Sequence, residues 1–258
     1  MTLGSIWART RRELSQMLAI TVKDIRVYYL SPPMVMFGLL MPFLMFFSFS
    51  VSRGLSVGVS VARLLAITTF FTASSAGPVI LPMERKTRSY ERMLVAPVSI
   101  FSILFGKAMV GAAFGLAVSL LTLVVAALAL GVPLASLVGL LLAMILASIS
   151  FSAMGLLFAL WPTDSATPVG STMMPATLIR WPLMFISGVF VPLDQMSPVL
   201  RVISYISPLT YTQDLMNHTV LGHGLQSQAL DWVVLLASTG VFLVVTFWFD
   251  RIQKRRGY

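Results

Sequence analysis

Residues 134–161 read LASLVGLLLAMILASISFSAMGLLFALW and contain no charged side chain. A helix needs about 20 apolar residues to cross a hydrocarbon core of roughly 30 Å. Lipid offers no hydrogen-bond partners, so a spanning segment must be a helix or a strand of a closed barrel. Barrel strands alternate polar and apolar residues over about 10 positions. The run here is continuous and longer, which predicts a transmembrane helix.

Comparable stretches fill most of the 258-residue chain, of which 57% is hydrophobic and only 10% is charged. Soluble domains carry about 25% charged residues. The sequence therefore predicts an all-α membrane protein, organised as a single transmembrane domain over residues 1–258 with no internal boundary or repeat. The six predicted spans are residues 33–51, 64–83, 108–130, 134–161, 168–193 and 232–249.

The distribution of basic residues predicts the orientation of these spans. Most of the 18 Lys and Arg fall in three segments: residues 9–26, 85–107 and 251–256. Cytoplasmic segments carry an excess of Lys and Arg, so we expect both termini inside. The net charge of +9 follows this membrane pattern, which does not indicate binding to nucleic acid. No cleavable signal peptide is evident in the first 30 residues.

Two further segments are amphipathic and lie outside the spans. Within 13–29, apolar residues recur at three- and four-residue spacing, which predicts a helix lying at the interface, ended by Pro32 and Pro33. The long connection before the last span begins with the apolar segment 194–217. That segment is either a short re-entrant structure or an amphipathic helix on the outer surface.

A short charged segment, ERKTRSYERMLVAPVS at 84–99, interrupts the apolar stretches between the second and third spans. Glu84 and Arg88 have the i,i+4 spacing, and Arg88 and Glu91 the i,i+3 spacing, of helix-stabilising pairs. Tyr90, Met93, Leu94 and Pro97 share one helical face. This pattern predicts a helix lying flat under the membrane, which is either a plain connector or a surface presented to a partner.

This segment resembles a pattern in the type-2 permeases of ATP-binding-cassette (ABC) exporters. The matching residues are Glu84, Arg85, Lys86 and Ser89, followed by 91–99, ERMLVAPVS; Arg88 stands where the family usually has Gly. A second match is ISGVFVPL at 186–193, followed by MSP at 196–198 and SPLTY at 207–211. A third is KDIR at 23–26. The matches keep their order and spacing over nearly the whole chain. The length of the chain and its short loops look most like the drug-exporter and nodulation-factor-exporter branch.

The resemblance implies a membrane subunit of an exporter, multi-pass in the plasma or inner membrane, that moves a lipophilic or amphipathic substrate. Family members pair with a second permease, the same chain or a homologue, and with a separate ATPase that binds ATP and Mg. The chain itself would be no enzyme and carry no cofactor. The segment 84–99 would be the coupling helix that docks on the ATPase, through Glu84, Arg85, Arg88, Tyr90, Glu91, Arg92, Met93, Leu94 and Pro97.

Other mechanisms find less support in the residues. The phosphate-binding pattern GxxxxGK[ST] does not occur, so ATP hydrolysis requires another chain. Proton-coupled carriers place acidic residues within their spans, whereas all nine Asp and Glu here lie outside the apolar spans or at their edges. This disfavours a secondary transporter, while a passive channel remains an alternative. The absence of Cys excludes disulfides and thiolate metal sites.

A few residues inside or beside the spans are candidate functional residues. Arg180 lies well inside the fifth span; it either faces an anionic substrate or snorkels to the inner interface. Ser187 and Gly188 follow in the second family match and are further candidates for the substrate pathway. Gly111 and Gly115 form a GxxxG pattern that predicts close helix packing. His218 and His223 have a poor spacing for metal ligation and no evident carboxylate partners, so no metal site is predicted.

Overall fold

The structure, a computed structural model, describes residues 3–50, 56–131, 134–160 and 168–255, and every regular element in these ranges is helical. The prediction of an all-α chain is therefore confirmed. The α-helices are α1 (Leu3–Tyr28), α2 (Pro32–Met34), α3 (Met41–Ser50), α4 (Val57–Lys86), α5 (Ser89–Val95), α6 (Ile100–Leu130), α7 (Leu137–Ala159), α8 (Pro168–Ile186), α9 (Pro198–Ser204), α10 (Pro208–Leu221) and α11 (Gln228–Arg255). A π-helical segment, Val35–Leu40, joins α2 to α3, and a 3-10 turn, Leu193–Gln195, precedes α9.

The helix α4 is the centre of the fold. It packs against α6, α7, α8 and α10, and its residues from 65 to 82 are buried without interruption. Ser56 caps its start, because the Ser56 side chain accepts a hydrogen bond from the backbone N–H of Val59. Serines play the same role for α6 and α7, at Ser99 and Ser136. These caps fix where the long helices begin, and the spans themselves follow from their apolar composition.

Small residues allow α4 to touch its neighbours backbone to backbone. A Cβ atom on Gly77 would lie 2.6 Å from the carbonyl oxygen of Gly155 in α7. On the other side, a Cβ on Gly111 would lie 2.7 Å from the oxygen of Ala73, and one on Gly115 would lie 2.6 Å from the Ala73 Cβ. The GxxxG pattern of α6 therefore packs on α4 within the same chain, as small-residue faces do between membrane helices.

Two prolines in α4 leave two backbone carbonyl oxygens without a partner in their own helix, and side chains of α8 donate hydrogen bonds to them. Proline has no N–H, so Pro78 cannot donate to the oxygen of Ser74, and Pro82 cannot donate to that of Pro78. Arg180 donates from Nη2 to the Ser74 oxygen, and Thr172 donates from Oγ1 to the Pro78 oxygen at 2.8 Å. Both donors lie on α8 and both contacts are buried. The prolines of one span thus determine where polar groups are needed on another.

Replacing Thr172 with valine should reveal this pairing. Thr172→Val removes the donor but keeps the shape, and a buried carbonyl without a partner costs about 1–3 kcal/mol. We expect a loss of free energy of unfolding of that order, read from thermal unfolding in detergent. Pro82→Ala restores an N–H one helical turn after Pro78, so the double variant should be less destabilised than the two single losses added together. Strict additivity would contradict the pairing.

The chain bends sharply between α1 and the first predicted span. The axes of Thr10–Tyr28 and Pro32–Leu44 differ by 91°, and Ser31 and Pro32 form the corner with an extended backbone at Ser31. Beyond the corner, the π-helical turn widens the helix around Gly38, where a Cβ would crowd the ring of Phe114 in α6. A long amphipathic helix set at a right angle to an apolar one fits the predicted interfacial position of α1.

The described residues contain four helices that are long and apolar enough to cross a membrane, namely α4, α6, α7 and the part of α11 up to Phe249. The bent pair of α1 with the first span raises this number to five at most. The remaining predicted span, 168–193, is shorter than expected: α8 ends at Ile186 and contains Pro175 and Pro182 as well as Arg180. The six-span count and the orientation of both termini remain predictions.

The predicted outer segment 194–217 forms two short helices with different surroundings. In α9 the apolar side chains of Val199 and Val202 are exposed. In α10 most residues are buried, because the helix lies between α4, α7 and α11. A helix of 14 residues is too short to cross a bilayer, which agrees with both the re-entrant and the surface alternative for this segment.

Candidate functional site

A tight turn separates the central helix from the short helix α5. The helix α4 continues without a break to Lys86, and α5 covers only Ser89–Val95, so the predicted helix over 84–99 is shorter than expected. The turn requires Arg88 to adopt φ 53° and ψ 19°, the left-handed region that favours glycine. This is the position at which the resembling family usually has Gly, so the structure gives a conformational reason for that preference.

Arg88→Gly should stabilise the protein. A side chain in the left-handed region costs roughly 1–2 kcal/mol, and glycine's greater freedom in the unfolded chain offsets part of the gain. We expect a net increase of about 1 kcal/mol in the free energy of unfolding, measured as a higher Tm in detergent. Arg92→Gly is the matched control, because it places glycine inside α5, where it should destabilise. An unchanged or lowered Tm for Arg88→Gly would contradict the strain.

The short helix α5 presents one face to its own chain and the other to solvent. Tyr90 is buried and Met93 partly buried, in a cluster with Ile20, Leu81, Ile103 and Leu160. Arg85 lies over the Tyr90 ring, 5.7 Å from its centroid. The opposite face exposes Glu91, Arg92, Leu94 and Val95. The surface available to a partner is therefore charged and apolar together, and it does not include Tyr90.

Four charged side chains form a closed arrangement next to α5. This arrangement is called the ion ring here. The four members are Lys23, Asp24, Glu84 and Lys107. Lys23 Nζ lies 2.8 Å from Asp24 Oδ1 and 2.6 Å from Glu84 Oε1. Lys107 Nζ lies 3.3 Å from Asp24 Oδ2 and also contacts Glu84 Oε2. The ring joins α1, the end of α4 and the start of α6, and its charges balance.

Burial makes the ion ring a structural element and not a surface network. The carboxylates of Asp24 and Glu84 are fully buried, Lys107 is nearly so, and only Lys23 is partly exposed. Burial lowers the pKa of Lys23, but its hydrogen bonds with Asp24 and Glu84 outweigh this and hold the pKa above its ordinary value. The stabilisation from Lys23 is therefore complete at neutral pH and is lost only as the pH rises through that elevated pKa.

The ion ring also contacts α5, and α1 contacts the segment that follows α5. Lys23 Nζ lies 4.0 Å from the sulfur of Met93. Earlier in α1, Gln16 donates to the carbonyl oxygen of Pro97 at 3.1 Å, and Arg12 donates to the same oxygen at 3.4 Å. A displacement of α5 would therefore act on α1 at two places and on α4 and α6 through the ring.

A family model described as ABC-2 type transporter matches residues 15–221, from within α1 to the end of α10. The chain belongs to the ABC-2 type transporter family. It is accordingly the permease part of an ABC transporter and a membrane protein, and such permeases normally work with a separate ATPase subunit. Among curated proteins, none matches the chain with significance.

Three predicted contact residues of this ABC-2 permease have other roles within the chain. Glu84 cannot reach a partner directly, because both of its oxygens contact lysines of the ion ring and its side chain is fully buried. The predicted pairing of Glu84 with Arg88 is absent for the same reason, and Arg88 lies in the turn beyond α4. Tyr90 and Met93 face inward. Arg85, Arg88, Glu91, Arg92, Leu94 and Pro97 keep at least part of their surface exposed.

The predicted pathway residues are all buried in the single chain of the ABC-2 permease. Arg180 is 1% exposed and packs 5.9 Å from the Phe158 ring centroid, in addition to its contact with Ser74. Within the chain its guanidinium therefore faces the backbone of α4, and its place on the substrate pathway stays a prediction. Ser187 and Gly188 line a cavity of about 350 Å³ at the end of α4 farthest from α5. Gly188, two residues beyond the end of α8, has φ 85°.

The expectation that His218 lacks carboxylate partners is wrong. Asp214 lies one helical turn before His218 in α10, and the loop 222–227 folds back so that Asp231 in α11 joins them. The sequence analysis considered His218 only together with His223 as possible metal ligands. It missed this group because His223 is exposed and does not belong to it. The i,i+4 spacing of Asp214 and His218 was the available signal, but Asp231 could be placed only by the fold.

Proposed function

We propose that the chain is the permease subunit of an ABC exporter, with six spans, both termini in the cytoplasm, and two permeases paired with two ATPase subunits. ATP and Mg would bind to the ATPase alone. The single observation that carries this proposal is the two-sided position of α5. Its outer face exposes Glu91, Arg92, Leu94 and Val95, whereas its inner face is packed beside the ion ring.

In this mechanism the ATPase pushes on the outer face of α5, and the ion ring distributes the displacement. Lys23 and Asp24 carry it to α1, Glu84 to α4, and Lys107 to α6. Buried ion pairs hold their geometry because separating them leaves an uncompensated charge. Because Arg180 and Thr172 of α8 donate hydrogen bonds to α4, a movement of α5 would be transmitted to α8 as well as to α1, α4 and α6.

The substrate we propose is lipophilic or amphipathic, moved out of the cytoplasm or the inner leaflet. A cavity of about 320 Å³ lies between the π-helical segment and α8, lined by Phe37, Gly170, Met173, Met174, Thr177 and Leu178. Ligand pockets fall in the range of about 300–1,000 Å³. Methionine side chains adapt their shape to different apolar ligands. The cavity therefore supports a hydrophobic cargo of variable shape, such as a drug-like molecule or a lipid.

Charge reversal at Glu91 tests the proposed docking surface. The chain would be extracted gently from its native membrane and the co-purifying proteins identified, with export of a fluorescent hydrophobic compound measured in parallel. We expect an ATPase in stoichiometric amount with the natural chain, and loss of both ATPase and export in Glu91→Arg. Asp194→Arg is the control, because Asp194 is an exposed acid at the opposite end of the fold.

Retention of the ATPase and normal export by Glu91→Arg would contradict docking through α5. Recovery of the natural chain without any ATPase in several detergents would contradict the exporter and favour a channel. Glu91 makes no contact with the ion ring, so folding of the variant should be unaffected, and an unchanged elution profile in size-exclusion chromatography checks this.

A further inference from the structure

The carboxylate of Asp231 occupies an unusual position near the outer end of the fold proposed above. Its side chain is fully buried in the first turn of α11, and neither of its oxygens accepts a hydrogen bond from the residues that the structure describes. Burying an ionised carboxylate without a partner is strongly unfavourable. The imidazole of His218 lies close by, with its Nε2 3.9 Å from Asp231 Oδ2.

Asp214 completes a group of three at this position. One ligand atom from each of Asp214, His218 and Asp231 lies within 4.8 Å of the others. Asp214 is nearly fully buried, and it accepts backbone N–H bonds from Leu225 at 2.8 Å and from Gln226 at 2.7 Å. The Leu225 N–H also approaches Asp214 Oδ2, at 3.1 Å, so Oδ2 accepts two bonds and Oδ1 accepts one. These bonds hold Asp214 in place, and Oδ1 keeps a second lone pair for a cation.

The loop between α10 and α11 closes over the three side chains. The carbonyl oxygen of Gln226 lies 2.9 Å from His218 Nε2. Gly224 lies directly above the group, since a Cβ there would crowd the His218 ring and approach Asp214 Oδ1 to 2.8 Å. The group is thus enclosed by backbone, and a carbonyl oxygen faces it as a fourth donor.

We infer that Asp214, His218 and Asp231 form a binding site for one divalent transition-metal ion of the Zn²⁺ type. One imidazole and two carboxylates suit Zn²⁺ better than Ca²⁺ or Mg²⁺, which prefer oxygen ligands alone. Ligand atoms about 2.0–2.2 Å from zinc are about 3.3 Å from one another in a tetrahedron. The 3.9 Å between His218 Nε2 and Asp231 Oδ2 lies close to that separation.

The chemistry of binding follows from the hydrogen bond of His218. Its Nε2 donates a hydrogen bond to the Gln226 carbonyl oxygen, and this nitrogen can coordinate a metal only when the ring proton is on Nδ1 instead. Binding therefore requires the other tautomer of the neutral ring, and it frees the Gln226 oxygen from its present donor. The bound ion would neutralise the two carboxylates and fasten the second half of α10 and the loop 222–227 to the start of α11. The site does not depend on the proposed ATPase partner.

Zinc binding by the purified full-length chain tests this inference. The chain would be prepared in detergent without a polyhistidine tag, stripped with a chelator, dialysed, and titrated with Zn²⁺ alone by calorimetry. Metal content would be measured by mass spectrometry. We expect one ion per chain and a higher Tm with zinc than without it. Substoichiometric binding by the natural chain, with no shift in Tm, would overturn the inference without any variant.

Matched variants then assign the ligands. Asp231→Asn keeps the shape of the side chain and should weaken zinc binding at least about tenfold, with loss of the zinc-dependent rise in Tm. His218→Gln should do the same. His223→Gln, which changes the exposed histidine of the same loop, should bind zinc like the natural chain. Natural affinity in Asp231→Asn, or an equal loss in His223→Gln, would show that the ion binds elsewhere.

Discussion

Lys107→Met is expected to lower the free energy of unfolding by about 3–5 kcal/mol, the cost of breaking a buried ion pair from one side. Lys107 contacts both Asp24 and Glu84, so its removal leaves two buried carboxylates with the single charge of Lys23. Methionine keeps most of the stem and its packing. The loss should therefore be electrostatic, and it should appear as a much lower Tm in detergent or as failure to yield a monodisperse protein.

Two further variants separate this effect from a general loss of lysine. Lys86→Met removes an exposed lysine at the end of α4, the helix that carries Glu84, and exposed charges contribute at most about 1 kcal/mol. Adding Glu84→Gln to Lys107→Met removes the excess negative charge, so the double variant should recover part of the lost stability. A Tm of Lys107→Met equal to that of the natural chain would show that the ion ring does not stabilise the junction.

Gly155→Leu is expected to be nearly as damaging, with a loss of about 3 kcal/mol, at the upper end of the cost of overpacking a core. A Cβ on Gly155 would lie 2.9 Å from the Cα and carbonyl carbon of Ser74. These are backbone atoms of the central helix, so no side chain can rotate away to make room. Helices α4 and α7 would have to separate, which would also disturb the Ser74 oxygen that Arg180 binds.

The control for Gly155→Leu is Gly240→Leu in α11. Gly240 is exposed within a predicted span, and a Cβ there would meet nothing within 4 Å. We expect this variant to keep the Tm of the natural chain, because leucine is a better helix former than glycine and suits a lipid-facing position. Equal yields and equal Tm values for the two variants would contradict close contact between α4 and α7.

The sequence predicted the long helices well, because apolar length is a local property. The segment 137–159 contains no charged residue, and the helix α7 lies entirely within the predicted span 134–161. The GxxxG pattern at Gly111 and Gly115 also predicted close packing, although its partner, Ala73 in α4, is known only from the fold. The end of α8 was predicted less well, because the apolar run continues to residue 193 while the helix ends at Ile186.

The ion ring could not be predicted in the same way, because its members come from three distant parts of the chain. Lys23, Glu84 and Lys107 each resemble ordinary basic or acidic residues that flank a span. Their spacing in sequence carries no sign that they meet. The sequence similarly placed Glu84 on the surface of a helix, since the extension of α4 to Lys86 and the turn at Arg88 are properties of the tertiary structure.

The ion ring has a consequence for the energetics of transport across an energised membrane. A single elementary charge that crosses the whole membrane potential changes the free energy by about 2.3 kcal/mol per 100 mV. The two lysines and two carboxylates of the ring carry no net charge, and they are bound to one another. If the junction moves as a unit, it displaces no charge through the electric field. Coupling through α5 should therefore proceed at the same rate whether the membrane is depolarised or fully polarised.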